Sequence, residues 1–473
     1  MAFITNSSFC LNESHPNDWD YINEGGKHAV FAYKSNDSSR FCGMVLRVNK
    51  DSFRSARCES FDGFSARTST IEMSFRKYLD VPHKVHLDAS FLEGLKRQAM
   101  ESNRIPPSRR PDWGGQSHSI VSEMIPNYRG FAADTISIEI KPKAGYLATS
   151  PIVRLGNECK YSTSRFQILQ QLNRRGVVSK GWNKGSKLMY TSRFDPIYLF
   201  SRDVDRIHLA VNALFDCPQN NLKVFCGESM LYGMGCQKNT EKSVNDCRRA
   251  ISIVKGCSQS SLLCSGESFK SLQTELIQIV SDVLFTDSFL QILLEKQRYY
   301  DILDADGAIL VYNRLVLLCG NSNEKAEMLL DAEYDPIRKQ CSSQRFEAFV
   351  RYLNVKDRPL NETRDSWYNT GTKLIDRLGK DECIILLQNW LLSLVLCDIS
   401  FFIMLCKCNA SGGSAANSTS QLITTRCGVK LSYEIKVVDY DRKPAKKLRK
   451  RDQAEAKIAL FHAKSDSSLP LTE

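Results

Sequence analysis

No internal repeat runs through the chain, and no charge of one sign dominates its 473 residues: 64 Lys and Arg stand against 53 Asp and Glu, a net +11. The missing period excludes solenoid and collagen-like arrays. The modest basic excess permits an anionic partner without naming one. Also missing is a basic region followed by an apolar core in the opening MAFITNSSFCLNESHPNDWD, so no secretory leader is expected there. The 17 cysteines are odd in number and scattered, which argues against a disulfide scaffold. Reduced thiols in a cytoplasmic and/or nuclear setting are expected. Triplets such as Asn36-Asp37-Ser38 would then go unglycosylated. A clean membrane-length apolar run is lacking too. The stretch 384–405 is long enough to span a bilayer, but Gln388, Asn389 and Asp398 interrupt it. The expectation is no membrane span. Instead a buried helix ends near Leu396, and a buried strand covers 399–405, with Asp398 at the junction.

What is present is an ordinary globular composition, 42% hydrophobic and 25% charged, which excludes disorder over the whole length. At roughly 150 residues per domain, two unequal lobes are more natural than one core. The predicted class is α+β, with a small N-lobe over 1–127 and a larger C-lobe over 128–473. In the first, strands are expected at 28–33 and 41–48 around a turn at 35–39, with helices at 75–80 and 90–101. A Pro- and Gly-rich loop at 104–115 precedes a hinge at 124–127. In the second, strands are expected at 134–143, 222–225 and 431–440, and helices at 164–174, 204–215 and 269–293. A polar, Cys-rich irregular insertion at 240–266, a flexible loop at 408–420, a basic helix at 443–457 and a frayed last ten residues complete the reading.

Several short patterns bear on chemistry. Glu24-Gly25-Gly26 is either a plain hairpin turn or a turn whose backbone N–H groups approach phosphates. Arg47, at a strand end, either meets nucleotide phosphates or is simply solvated. Glu139-Ile-Lys-Pro-Lys143 sets Ile136, Ile138 and Ile140 on one strand face and Glu139, Lys141 and Lys143 on the other. Such charges line a wet cleft or a surface, since burying them unpaired is expensive. Asp398, placed by two rigid apolar elements, is a candidate general base or metal ligand. Asp439 and Asp441 end a strand as a Mg²⁺ site would require, or serve as turn residues. Lys443, Lys447 and Arg451 share a face at helical spacing, as a phosphate clamp, a solvated helix or a nuclear-import patch.

Together these motifs resemble the inositol-pentakisphosphate 2-kinase family. Ile138-Glu-Ile-Lys-Pro-Lys-Ala-Gly-Tyr-Leu147 resembles its E-x-K-P-K motif, and Trp19 to His28 its nucleotide loop. Ser164-Arg165-Phe166, Cys217-Pro-Gln-Asn-Asn221, Asp398 and Val438-Asp439-x-Asp-x-Lys443-Pro follow in the family's order, so the likeness runs from Trp19 to about Phe461. The resemblance implies a two-lobed inositol-phosphate kinase fold using ATP and Mg²⁺. It places Gly25, Gly26, Lys27, His28, Arg47, Glu139, Lys141 and Lys223 on the nucleotide. Arg109, with Arg110 as the other alignment, joins Lys143, Arg165, Asn220, Lys443, Lys447 and Arg451 on the substrate. Asp398 is the implied catalytic group, and Asp439 with Asn221 the implied metal ligands.

The chain departs from the family in places. Lys27-His28 replaces Ala-Asn, Leu169 and Asn173 stand where a His and a Lys are usual, with Arg174 or Arg175 as substitutes, and Arg451 replaces a tyrosine. The plant members' zinc is not expected: Cys319 and Cys341 are near that region, but no His lies between His208 and His462. The implied activity is transfer of the ATP γ-phosphoryl to the 2-hydroxyl of inositol 1,3,4,5,6-pentakisphosphate, giving inositol hexakisphosphate. The alternatives are a non-catalytic inositol-phosphate or nucleic-acid binder, and a kinase for a less phosphorylated inositol. Aromatics are not interleaved with the basic run, so no stable nucleic-acid partner is expected. A monomer with inositol pentakisphosphate as its small-molecule partner is expected.

Overall fold

The computed structural model describes residues 9–11, 14–24, 28–34, 39–50, 75–101, 119–129, 134–174, 191–227, 229–236, 241–257, 269–332, 343–354, 363–408 and 421–466. The expected features at 35–38, 104–115 and 409–420 lie outside them, as do Gly25, Gly26, Lys27, Arg109, Arg110, Arg175 and Cys341. The class is α+β, built on two six-stranded sheets.

The first sheet takes strands β1 (Phe9–Cys10), β2 (Trp19–Glu24), β3 (His28–Tyr33), β4 (Met44–Asn49), β5 (His83–Leu87) and β6 (Ile120–Pro126) in the order β1-β5-β6-β4-β3-β2. Only β1–β5 pairs parallel among these. Alternation sets Val85 and Leu87 inward and Lys84 and His86 outward. The helix over Ala89–Glu101 (α1) follows an Asp88 whose Oδ1 accepts the Phe91 N–H at 2.7 Å. It buries Phe91, Leu92, Leu95 and Ala99 with Trp19, Phe31 and Val48. Met124 to Pro126, expected as hinge, continues β6 and pairs with β4.

The second sheet takes β7 (Thr135–Ile140), β8 (Leu222–Cys226), β9 (Ser229–Gly233), β10 (Ser400–Lys407), β11 (Gln421–Thr424) and β12 (Lys430–Val438), all antiparallel, in the order β11-β12-β10-β7-β8-β9. β7 and β10 are central. Every residue of β7 is buried, and so is β10 through Leu405. The remaining helices are α2 (Arg165–Arg174), α3 (Pro196–Leu199), α4 (Val204–Asp216), α5 (Glu241–Lys255), α6 (Phe269–Thr286), α7 (Phe289–Tyr300), α8 (Asp304–Leu318), α9 (Asn323–Asp331), α10 (Gln344–Leu353), α11 (Arg364–Ile375), α12 (Lys380–Leu396) and α13 (Lys447–Asp466). Residues of α4, α6 and α7 share one core with Ile136, Ile138, Ile140, Phe401 and Ile403. A separate core joins α8 to α12, and Leu448 at the start of α13 enters it.

Four expectations need correction. The 240–266 stretch is not irregular throughout: α5 occupies Glu241–Lys255, burying Ala250, Ile251 and Val254 beneath a polar outer face. The helix expected at 75–80 shrinks to a 3₁₀ turn at Arg76–Tyr78, because Phe75 and Tyr78 both pack edge-on against Phe289 of the second sheet's core. The 269–293 helix breaks at Asp287, whose Oδ1 caps α7 through the Phe289 N–H at 2.8 Å and accepts the Tyr78 hydroxyl at 2.7 Å. Finally, α13 begins at Lys447, after Pro444, and runs to Asp466. Lys443 therefore sits in the lead-in rather than on the helix. Among the described residues no single helix is long and apolar enough to cross a membrane. The 384–405 run is α12 followed by β10, with Asp398 in the break.

Candidate active site

Pro142 has no N–H for the ladder, so β7 leaves the sheet just before it. The Lys141 N–H instead donates to the Asn221 carbonyl at 2.9 Å, tying the strand end to the turn before β8. Lys143 follows with φ +63°, in the left-handed region. Its ammonium lies 3.6 Å from Asp398 Oδ1, while Lys443 Nζ lies 2.6 Å from Asp398 Oδ2. Burial would raise the Asp398 pKa, but Lys443 and then Lys143 outweigh it and hold the carboxyl below its usual range. Burial dominates at Lys143 and pulls its ammonium down, with Asp398 opposing. The result is a half-exposed carboxylate, ionised at neutral pH, with a cation on either side.

Next to it, Asp439 also has φ +63°, and its Oδ2 is 2.9 Å from Lys141 Nζ. Burial works against the Lys141 charge, but Asp439, joined by Asp398 and Glu139, outweighs it and the pKa rises. Asn221 is buried, with neither side-chain amide atom bonded among the described residues. Asn220 beside it is half-buried. Deeper on β7, Glu139 meets Lys223 at 3.1 Å and Arg129 at 3.7 Å. Despite burial, Lys223 and Arg129 hold its pKa below the ordinary value.

The first sheet reaches this region through Arg47 and His28. Arg47 NH2 is 3.3 Å from both carboxylate oxygens of Asp441, and NH1 is 3.4 Å from Glu123. His28 Nδ1 lies 3.0 Å from Asp441 Oδ2. Two residues apart, Asp439 and Asp441 thus serve opposite directions: one holds the β7 end, the other the first sheet.

A second ionic cluster lies along α13. Lys160 is buried and bonds Asp304, Asp306 at 2.9 Å and Glu455 at 3.0 Å. Arg165 NH1 donates to Glu455, while its Nε and NH2 are buried with no partner among the described residues. Burial, followed by the nearby Arg165, pulls Arg451 down to about 10, and its guanidinium lies 6.0 Å from the Trp390 ring centroid. Asp304, Asp306 and Glu455 carry ligand atoms within 4.8 Å of one another, the spacing a metal could use. The Lys160 ammonium already contacts all three, so the group reads as a lysine-centred ionic knot.

A family profile described as inositol-pentakisphosphate 2-kinase matches residues 21–457. The chain belongs to that family. Proteins named inositol-pentakisphosphate 2-kinase are similar to it. The one from Arabidopsis thaliana is 28% identical over 345 residues, 65% of this chain and 71% of the relative. The one from Cryptococcus neoformans var. neoformans serotype D (strain JEC21 / ATCC MYA-565) is 25% identical over 464 residues, 94% of this chain and 93% of the relative. The one from Danio rerio is 24% identical over 250 residues, 50% of this chain and 48% of the relative.

For this inositol-pentakisphosphate 2-kinase family member, the structure gathers Lys141, Lys143, Asp398, Asp439 and Lys443 into one ionic group. Lys447 lies near enough that, after burial, Lys443 is the main charge lowering its pKa. Arg165 and Arg451 form a separate pole with Glu455. Sequence reasoning missed Arg129 and the Lys160 knot. The knot's partners lie 144 to 295 residues apart, so no local spacing reveals them.

Proposed function

We propose that this chain transfers the γ-phosphoryl group of ATP to the 2-hydroxyl of inositol 1,3,4,5,6-pentakisphosphate, releasing ADP and inositol hexakisphosphate. The observation that carries this is Asp398 held between Lys143 and Lys443. The carboxylate stays ionised, so it can take the hydroxyl proton as that oxygen attacks the γ-phosphorus and the bond to the ADP oxygen breaks. The two lysines bring cations to the substrate phosphates around that hydroxyl, and phosphoryl transfer depends mainly on such positioning and neutralisation.

In this reading the two sheets are the cores of two lobes, 1–127 and 128–473, that close on the nucleotide. Arg47 and His28 reach the nucleotide phosphates from the first sheet, with Gly25, Gly26 and Lys27 completing the loop. Glu139, Lys141 and Lys223 line the nucleotide from the second. Asp439 and the buried, unbonded amide of Asn221 are the oxygen donors that fit Mg²⁺. A magnesium ion held there supplies charge neutralisation on the phosphates. Arg109, Asn220, Lys447, Arg165 and Arg451 supply the remaining substrate contacts. The orphaned donors of Arg165 support an anion on that side.

Incubation with ATP, Mg²⁺ and each pentakisphosphate isomer, with products separated by chromatography, tests the proposal. Only the isomer with a free 2-hydroxyl should yield the hexakisphosphate. Consumption of another isomer instead, or of none, would overturn it.

A further inference from the structure

Gln297 lies on α7, fully buried, and takes no part in the charged groups described above. Its Oε1 accepts the Gly145 N–H at 3.0 Å. Its Nε2 donates to the Lys143 carbonyl at 2.9 Å and to the Leu396 carbonyl at 3.1 Å. These three backbone groups belong to the two segments that bring Lys143 and Asp398 together. One is the turn leaving β7, where Lys143 has φ +63°. A non-glycine residue rarely adopts that conformation and keeps it only when its surroundings enforce it. The other is the last turn of α12, two residues before Asp398, where helix carbonyls lack intrahelical donors. One planar amide therefore spans both segments. Next door, the Tyr146 hydroxyl bonds Asp301 at the end of α7 and lies 3.9 Å from Cys397 Sγ, adding a second tie between the same parts.

We propose that Gln297 is a positioning residue for phosphoryl transfer, setting the spacing between Lys143 and Asp398 through the backbones that carry them. The inference rests on the roles given to Lys143 and Asp398 above. Removing the amide frees Lys143 to relax from its left-handed conformation and swings its ammonium away from the place where Asp398 meets the substrate hydroxyl. Among the described residues Gln297 bonds none of the side chains given to the nucleotide, so the effect falls on the inositol phosphate and on turnover.

Steady-state kinetics of the full chain, wild type, Gln297→Met, Lys143→Ala and the double variant, varying ATP and inositol pentakisphosphate separately, tests this. Gln297→Met keeps the volume but makes none of the three bonds. Its kcat/KM for the pentakisphosphate should fall about ten-fold or more, since small misplacements of reacting groups are costly, while KM for ATP stays within about two-fold. Lys143→Ala should fall similarly, and adding Gln297→Met to it should cost little more, because the two act as one unit. Additive losses, or a folded Gln297→Met variant with unchanged kcat/KM, would overturn the inference while leaving the role of Lys143 standing. Wild-type kinetics in Lys143→Ala alone would overturn that role and the inference with it. Gln297→Glu, the same shape but unable to donate to either carbonyl when ionised, gives the same comparison if the methionine variant does not fold.

Discussion

Arg47 lies within hydrogen-bond reach of Asp441 and Glu123 and close to His28. A side chain so placed is available to an incoming phosphate only by exchanging carboxylates for it. Arg47→Ala is therefore expected to weaken ATP binding about ten-fold, the worth of one charge-assisted contact, with pentakisphosphate affinity changed little. Calorimetric titration of both ligands checks it. Glu455 carries a different kind of charge pairing. Burial opposes its ionisation, but Arg165 and Lys160 hold its pKa well below the usual carboxylate range. A depressed folded pKa contributes stability that is whole above the ordinary glutamate range, about pH 4.3, and is lost as pH falls below it. Asp301 runs the other way, its pKa raised by burial and then by Asp304, so its contribution weakens the fold as pH rises past its ordinary value. Glu455→Gln should lower the urea midpoint at neutral pH, and the midpoint should then fall less steeply below pH 4 than in the wild type. An unchanged acid limb would show that Glu455 is not the group being titrated.

At the scale of elements, the turn after β7 and the start of α13 are the sensitive parts. A methyl group at Gly145 would overlap the Phe200 ring, which belongs to the core under the second sheet. Gly145→Ala should therefore lower the melting temperature, at a cost of about 1–3 kcal/mol, and lower turnover with it. Lys447, exposed on the first turn of α13, makes no ion pair among the described residues. Lys447→Ala should leave stability unchanged while weakening pentakisphosphate binding about ten-fold, more at low salt than at high. Elements were legible wherever one periodicity ruled: α1, α2, α4 and β12 stand within a residue or two of their expected bounds. The α12–β10 break was legible because polar residues interrupt an apolar run. Where tertiary contacts decide, the pattern misleads: Phe289 draws the 75–80 segment out of a helix, and the polar face of α5 hides its buried stripe.

Across the whole molecule, the two sheets meet through ionic and hydrogen-bonded links and through a small apolar cluster, in which Ile125 of β6 packs against Tyr128, Phe225, Phe402 and Met404. Asp441 ties Arg47 and His28, Asp80 accepts from Tyr128 and Lys436, and Asp287 accepts from Tyr78. The order of motifs along the chain named Asp398, Asp439 and the Glu139–Lys143 segment as a set, and the fold brings them together at the ends of three neighbouring strands, β10, β12 and β7. What the order could not give is the third dimension: Arg129 at Glu139, the Lys160 knot, and the parting of Asp439 from Asp441 depend on contacts between distant segments. The central claim is that Asp398, framed by Lys143 and Lys443, takes the proton during phosphoryl transfer. Single-turnover measurement of Asp398→Asn, alongside its pentakisphosphate affinity, tests it most directly. The rate should fall at least about 10²-fold, the usual worth of a positioned base, with affinity kept within a few-fold. Near-normal phosphoryl transfer by the purified variant would contradict it.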